Sequence, residues 1–365
     1  MKAAVLYKTK QPLQVEDVDL APPGEGEVLV KIGAAGVCHS DYHFMNGDLP
    51  ITLPAVLGHE GAGVVEEVGP GVKTLRKGDH VVLLFRAACG RCEHCAKGRP
   101  ALCALAGQLR NTGRLLDGTS RLSRNGEEIR HFLGVSCFAE RAVVPIEGAV
   151  KIPDDIPLPI AALMGCAVLT GVGAAVITAA VQPGSTVLVV GAGGIGLNCV
   201  MGAVLAGANQ VIAADLSDAK LETSLDFGAT HTVNAKDQDL VAAVRELTGG
   251  EGVDYAFEAI GNPRATRQAF ESLRRGGTAV SVGIAPLGTD LSIDAGELVY
   301  QEKTLKGSYY GSSRPHADVP RFLNLYRTGR LPLDKLLSRR YPLEKVNEAY
   351  DALLAGEVAR SVLIP

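Results

Sequence analysis

The stretch VLVVGAGGIGL, residues 187–197, constrains the fold of this chain more than any other. A short apolar run enters a glycine-rich turn and leaves as a helix-like segment, LNCVMGAVLAG. A second apolar run, QVIAAD (210–215), follows. Strand, turn, helix and strand in this order predict a βαβ unit with parallel strands. Gly191, Gly193 and Gly196 stand at G-x-G-x-x-G spacing. The first permits a tight turn, the second lets backbone approach a pyrophosphate, and the third brings helix against strand. The helix N-terminus then favours phosphate charge. Asp215, 19 residues after Gly196, ends the next strand. Its carboxylate should accept hydrogen bonds from a ribose and repel a 2′-phosphate, so NAD is expected over NADP.

The same texture continues in VDYAFEAIG (253–261) and TAVSVGIAP (278–286), with helix-like RATRQAFESLRR between them. The first 150 residues read instead as mainly β: EVLVKIGAAGV (27–37), GAGVVEEVG (61–69) and DHVVLLF (79–85) are rich in β-branched residues and bounded by Gly, Pro or Asp. The tail has helical stretches, VPRFLNLYRTG and LEKVNEAYDALLAG, and ends in strand-like SVLIP. At 365 residues, two domains are expected. No charged residue occurs from Pro157 to Ala214. Length alone would admit two membrane spans, but Pro183-Gly184 and the glycines at 191–196 break the run, which suits buried helices and a buried sheet. A net charge of −4 with interspersed signs offers no basic stripe for nucleic acid. The N-terminus lacks a signal-peptide core, so a cytoplasmic location is expected.

Eight cysteines in a chain without a secretion signal point to metal or catalysis rather than disulfides. Cys89, Cys92, Cys95 and Cys103 fall at C-x2-C-x2-C-x7-C spacing, which can enclose one tetrahedral zinc with no open position, a structural site. Iron–sulfur ligation also uses such runs, but sits less well beside a dinucleotide fold. His94, inside the run, reads as a solvated loop residue.

Residues 36–60, GVCHSDYHFMNGDLPITLPAVLGHE, concentrate a thiol, three imidazoles, three hydroxyls and three carboxylates. Together with GHEGAGVVEEVG (58–69), the four-cysteine lobe, MGCAVLTG (164–171) and GAGGIG, this window resembles the zinc-dependent alcohol dehydrogenases of the medium-chain dehydrogenase/reductase superfamily, across essentially the whole chain. The resemblance implies an α/β protein: a Rossmann doubly wound parallel sheet domain (168–309), plus a mainly β GroES-like catalytic domain (1–167 and 310–365), with the active site in the cleft. It implies two zinc ions per chain. The catalytic one would be held by Cys38, His59 and Cys166, leaving an open position where an alcohol oxygen is acidified and hydride leaves the resulting zinc-bound alkoxide for nicotinamide. Asp41 and Glu60 match acids behind these ligands, one orienting the imidazole and the other beneath the metal and able to bind it transiently. Ser40 matches the hydroxyl that contacts the substrate oxygen, and His43 the end of a proton relay through the cofactor ribose. His39 stands where many relatives carry arginine at the pyrophosphate. Histidine offers less charge near neutral pH, so looser NAD(H) binding and faster release at higher pH are expected. Thr170, Val282 and Arg360 match contacts to nicotinamide, ring edge and phosphate. Gly194, Ile195 and Lys220 join the cofactor contacts.

By the same resemblance Ser40, Leu49, Phe85, Phe132, Leu133 and Ile284 line an apolar channel for primary aliphatic or benzylic alcohols. The competing activity is S-(hydroxymethyl)glutathione (formaldehyde) dehydrogenase. DGTSR (117–121) favours it. Gly107, where that branch carries arginine, and His43, where it has tyrosine, weigh against it, although Arg110 lies nearby. An inert zinc-bearing interaction protein is disfavoured by the intact Cys38–His59–Cys166 set. A homo-oligomer, dimer or tetramer, is expected. Cys137 and Cys199 receive no role.

Overall fold

A computed structural model describes residues 1–365. The chain divides into two units, Met1–Cys166 with Arg314–Thr328 and Leu333–Pro365, and Ala167–Ser313 with Gly329–Pro332.

The first unit is mainly β. Its larger sheet has the order Ala149–Ile152, His80–Leu84, Glu60–Val68, Glu27–Val37, Arg360–Ile364 and Leu337–Pro342, with Arg141–Pro145 also on Glu27–Val37. Glu27–Val37 alternates apolar residues densely and is buried along most of its length, as a central strand should be. Its partners Glu60–Val68 and Arg360–Ile364 run antiparallel to it, with Ala35 opposite Gly61 and Val37 opposite Ser361. Register therefore gathers Cys38, His59, Glu60 and Arg360 at one end of the sheet. A core of Val28, Val30, Leu57, Leu83, Phe138, Val346, Tyr350 and their neighbours fills this unit. Burying a side chain such as Phe138, 0% exposed, is worth roughly 1.5–3 kcal/mol.

The second unit is a six-stranded sheet in the order His231–Asn234, Gln210–Asp215, Thr186–Val190, Val253–Glu258, Leu273–Ser281 and Thr304–Gly307. All its pairings are parallel. This is the doubly wound order of dinucleotide-binding folds, and the strand order reverses beside Thr186–Val190. The helix-like reading of RATRQAFESLRR is corrected at its end. The helix stops at Glu271, and Leu273, Arg274 and Arg275 open the next strand. The charge-free stretch forms a helical run, Leu158–Ala179, of mean hydropathy 2.3. It is long enough to cross a membrane, but 83% of its most apolar window is buried inside the protein, which makes it a core helix.

Candidate active site and metal centres

Cys38 directly follows the central strand and caps the helix His39–Met45 with extended backbone, its Sγ accepting the Ser40 N–H at 3.5 Å. Glu60 opens the neighbouring strand, and His59 immediately precedes it. Cys166 lies in a π-helical turn, Met164–Val168, a wide helical geometry frequent at functional sites. Ligand atoms of Cys38, His59, Glu60 and Cys166 all lie within 4.8 Å of one another, and all four residues are buried. Gly36 makes this possible: a Cβ there would stand 2.6 Å from the Glu60 carboxyl carbon.

The electrostatics suit a cation. His59 Nδ1 is 3.0 Å from Asp41 Oδ1, while His59 Nε2 is buried without a hydrogen-bond partner. Burial opposes charge on His59, yet Asp41 and then Cys38 pull its pKa well above the usual histidine range. The Cys166 thiol, then Arg360 and His59, hold Cys38 well below the ordinary thiol value against burial. An imidazole nitrogen with no other partner, two converging sulfurs and a nearby carboxylate are a donor set that fits zinc. Asp41 would hold the imidazole in the tautomer that leaves Nε2 as a ligand.

Around these groups, Phe85 and Phe132 meet the His59 ring edge-on at 5.1 and 6.2 Å. Phe132 and Leu49 are also core residues, at 2% and 6% exposure, with Phe85 and Leu133 packed against that core. Leu133 holds a left-handed φ of 56°, an uncommon conformation for a bulky side chain. His43 Nδ1 pairs with Asp48 Oδ2 at 3.0 Å, a partner that the sequence did not single out. Ser40 is half-buried and His39 exposed. Arg360, expected at a cofactor phosphate, is 3% exposed, and its Nη1 donates to Glu60 Oε2 and to the Val37 carbonyl, both at 3.3 Å.

The second cysteine set also converges, with the Cys89, Cys92, Cys95 and Cys103 sulfurs within 4.8 Å of one another. Cys89 N–H donates to Cys103 Sγ and Cys92 N–H to Cys89 Sγ, each at 3.3 Å. Backbone amides of Cys95 and Ala104 lower the Cys92 thiol to about 6, whereas burial, then Cys92, pushes Cys95 up to about 12. Four converging thiols, with Cys92 and Cys95 driven apart in this way, fit a shared cation that would let all four ionise. Arg86, missed in the sequence, anchors the lobe by donating to the carbonyls of Ala101 and Cys103. DGTSR proves structural: Arg121 binds Glu27 and Asp117 at once.

In the second unit Gly191 has a φ of 98°, and the helix Gly194–Leu205 starts at the turn. A Cβ on Gly196 would stand 1.7 Å from the Gly191 carbonyl oxygen, while one on Gly193 would meet only open space. That open cradle at a helix N-terminus fits a pyrophosphate. Asp215 accepts the Ala192 N–H at 2.8 Å, and the amides of Leu216 and Ser217. Ile195 lies on the helix after the turn and Lys220 on the helix Asp218–Asp226. Thr170 lies on Leu169–Gly173, Val282 follows the strand Leu273–Ser281, and Ile284 is 40% exposed. Glu258, also missed, is 1% exposed and accepts the amides of Ile260, Gly261 and Asn262, fixing the loop beside the glycine turn.

The family models for an alcohol dehydrogenase GroES-like domain and a zinc-binding dehydrogenase match residues 24–154 and 194–328. The chain is 42% identical, over 100% of its length and 98% of the relative's, to an NDMA-dependent alcohol dehydrogenase of Amycolatopsis methanolica. It belongs to the zinc-dependent alcohol dehydrogenase family. It is also 41% identical to an S-(hydroxymethyl)glutathione dehydrogenase of Synechocystis, over 99% of both chains. The crystal structure of benzyl alcohol dehydrogenase from Acinetobacter calcoaceticus matches with a TM-score of 0.95 at 34% identity, covering 100% of this chain and 98% of that one. The fold and family expected from the motifs are thereby established for this dehydrogenase, and with them its place among the oxidoreductases.

Proposed function

We propose that this dehydrogenase interconverts primary aliphatic or benzylic alcohols and their aldehydes, with NAD as hydride acceptor. The observation that carries the proposal is the buried convergence of Cys38, His59 and Cys166 beside the phenyl rings of Phe85 and Phe132. Cys38, His59 and Cys166 would hold the catalytic zinc, and Cys89, Cys92, Cys95 and Cys103 a structural one. Zinc at the first site supplies Lewis acidity that makes an alcohol hydroxyl easier to deprotonate. Ser40 accepts the hydroxyl proton. His43 releases it to solvent, with Asp48 on Nδ1 steadying the ring as it gains charge. Arg360 holds Glu60 by its Oε2, so the carboxylate keeps a fixed place behind the thiols. The glycine turn from Gly191 to Gly196 receives the pyrophosphate, and Asp215 the adenosine ribose. The unit beginning at Met1 thus bears metal and substrate, and the unit beginning at Ala167 bears NAD.

The apolar rings support an alcohol with an aliphatic or aryl body, and the small Ser40 leaves room for a benzylic one. A panel from ethanol to long-chain, secondary and benzylic alcohols, read by NADH absorbance, tests this. The highest kcat/KM is expected for primary benzylic or medium-chain alcohols, and absence of NADH from every alcohol would refute NAD as the acceptor. A glutathione-dependent formaldehyde activity is the second reading, supported by the Synechocystis relative. Gly107 offers no cation, while exposed Arg110 lies 5.8 Å over the Phe44 ring. Formaldehyde oxidation that requires glutathione would establish it. A cytoplasmic homo-oligomer completes the proposal, supported by the sheet's outer strand Thr304–Gly307 and the exposed Val299 and Tyr300 just before it. Sedimentation of the holoenzyme checks the oligomer.

A further inference from the structure

Behind the His59–Asp41 pair lies a group that no part of the mechanism above uses. Tyr350 is on the helix Val346–Leu354, far from the metal-binding segments in sequence, and is 3% exposed. Its ring stands 6.5 Å from that of Tyr42 and 6.3 Å from that of Phe138. Tyr42 follows Asp41 in the chain. Phe138 packs on Gly58, which precedes His59, so closely that a Cβ on Gly58 would lie 2.6 Å from it. The phenol is thus wedged between the backbones that carry the carboxylate and the imidazole.

Two buried polar atoms in this wedge have no hydrogen-bond partner, the Tyr350 hydroxyl and Asp41 Oδ2. The other Asp41 oxygen is the one that takes His59 Nδ1. A buried hydroxyl and a buried carboxylate oxygen each cost free energy when left unpaired, roughly 1–3 kcal/mol or more for a charged group. Burial is the largest influence on the Tyr350 phenol, and Asp41 is the next, acting both through its charge and as a hydrogen-bond acceptor, which marks the two as neighbours. A hydrogen bond from the phenol to that oxygen would satisfy both atoms.

We propose that Tyr350 is a positioning residue of the catalytic centre: its hydroxyl donates to Asp41 Oδ2 and so fixes the carboxylate that orients His59 toward the metal. The relay runs Tyr350 O–H to Asp41, and His59 Nδ1–H to Asp41, leaving His59 Nε2 aimed at the ion. A carboxylate held at both oxygens cannot swing. Tyr350 touches neither substrate nor cofactor. Its effect is on how firmly the ion is held, and through that on catalysis.

The inference rests on zinc at Cys38, His59 and Cys166, and the four-cysteine lobe supplies an internal control. Wild-type, Tyr350→Phe and Asp41→Asn holoenzymes are compared for zinc content, for zinc release to a colorimetric chelator, and for the visible spectrum after cobalt replaces the catalytic zinc. Tyr350→Phe removes one oxygen and preserves the packing. The expected result is two zinc ions in the wild type, and a release phase from one of them that is about ten-fold faster in Tyr350→Phe, within the 10–100-fold range usual for groups behind a metal ligand. The second phase and the melting temperature should be unchanged, the cobalt bands shifted, and Asp41→Asn more severe in the same direction. Identical release and identical cobalt spectra in Tyr350→Phe would overturn the proposal while leaving the zinc site intact. Equal acceleration of both phases with a lower melting temperature would also overturn it, since Tyr350 would then be ordinary core. A wild type with only the lobe zinc would instead overturn the catalytic-metal reading itself.

Discussion

Asp215 has two tasks. One oxygen takes the Ala192 amide and so ties the glycine turn to the end of the next strand. The same carboxylate carries the charge expected to meet a ribose. Asp215→Gly removes both, whereas Asp215→Asn retains an acceptor for Ala192 and removes only the charge. With hydrogen bonds to a charged group worth roughly 1.5–3 kcal/mol, the ratio of kcat/KM for NAD over NADP should fall about 10- to 100-fold in Asp215→Gly. A smaller fall is expected in Asp215→Asn. Unchanged ratios in both, measured by steady-state kinetics, would remove Asp215 from cofactor choice. His39 is a second residue-scale test: His39→Arg should slow NADH dissociation several-fold in stopped-flow traces, because a guanidinium carries a permanent charge toward a pyrophosphate. The candidacy of Asp215 for the ribose could be read from its spacing alone. Asp48 follows His43 by five residues and meets it where the turn after the helix His39–Met45 folds back, whereas Tyr350 could not be read at all, because it matters through Asp41, which long-range packing brings near.

At the scale of elements, the cysteine lobe has little apolar material of its own. The helix Glu93–Ala96 is four residues long and buries none of them. Its order depends on the sulfurs and on Arg86. Structural zinc sites of this type contribute on the order of 10 kcal/mol. Cys92→Ser should therefore lower zinc content by one ion per chain and open the segment between Cys89 and Cys103 to protease, with the melting temperature falling by several degrees. Full zinc content in that variant, by metal analysis, would contradict a four-sulfur site. The strands were legible as β-branched runs between Gly, Pro and Asp, and 27–37 and 210–215 were placed to the residue. Element ends were harder. In FESLRRGGTAV nothing local separates the helix from the strand beginning at Leu273, because its position is set by pairing with Val253–Glu258.

The whole molecule's acid stability has a specific origin. His131 is 3% exposed, accepts the Arg121 N–H through Nε2, and is pushed down to about 3 by burial and then by the Arg121 charge. In the unfolded chain a histidine titrates near 6.5. Between these values the unfolded chain binds a proton that the folded one refuses, so stability rises with pH across that window. The contribution is fully present above about 6.5 and is lost as pH falls toward 3, at roughly 1.4 kcal/mol per pH unit. Asp117, lowered to about 2 with burial opposed by Arg121, adds its own loss only below the ordinary carboxylate value. His131→Gln should cost stability at pH 7.5 and regain on the wild type by about 2 kcal/mol at pH 5. Parallel urea-melt stabilities at the two pH values would exclude His131 as the source.

Local chemistry suffices for part of this protein. A G-x-G-x-x-G turn between two apolar runs, four cysteines within fifteen positions and alternating β-branched segments each encode a short-range geometry, so composition and spacing alone determined the parallel-sheet unit, the glycine turn and the four-cysteine lobe. Long-range pairing decided the rest. Cys38, His59 and Arg360 meet because Val37 lies opposite Ser361 and Ala35 opposite Gly61 in one antiparallel sheet, a register stabilised by the buried faces of strands distant in the chain. The partners of Asp41 and Glu60 come from that register and from the packing around it. No residue carries such information by itself, because a hydrogen bond across the core depends on where two distant backbones come to rest.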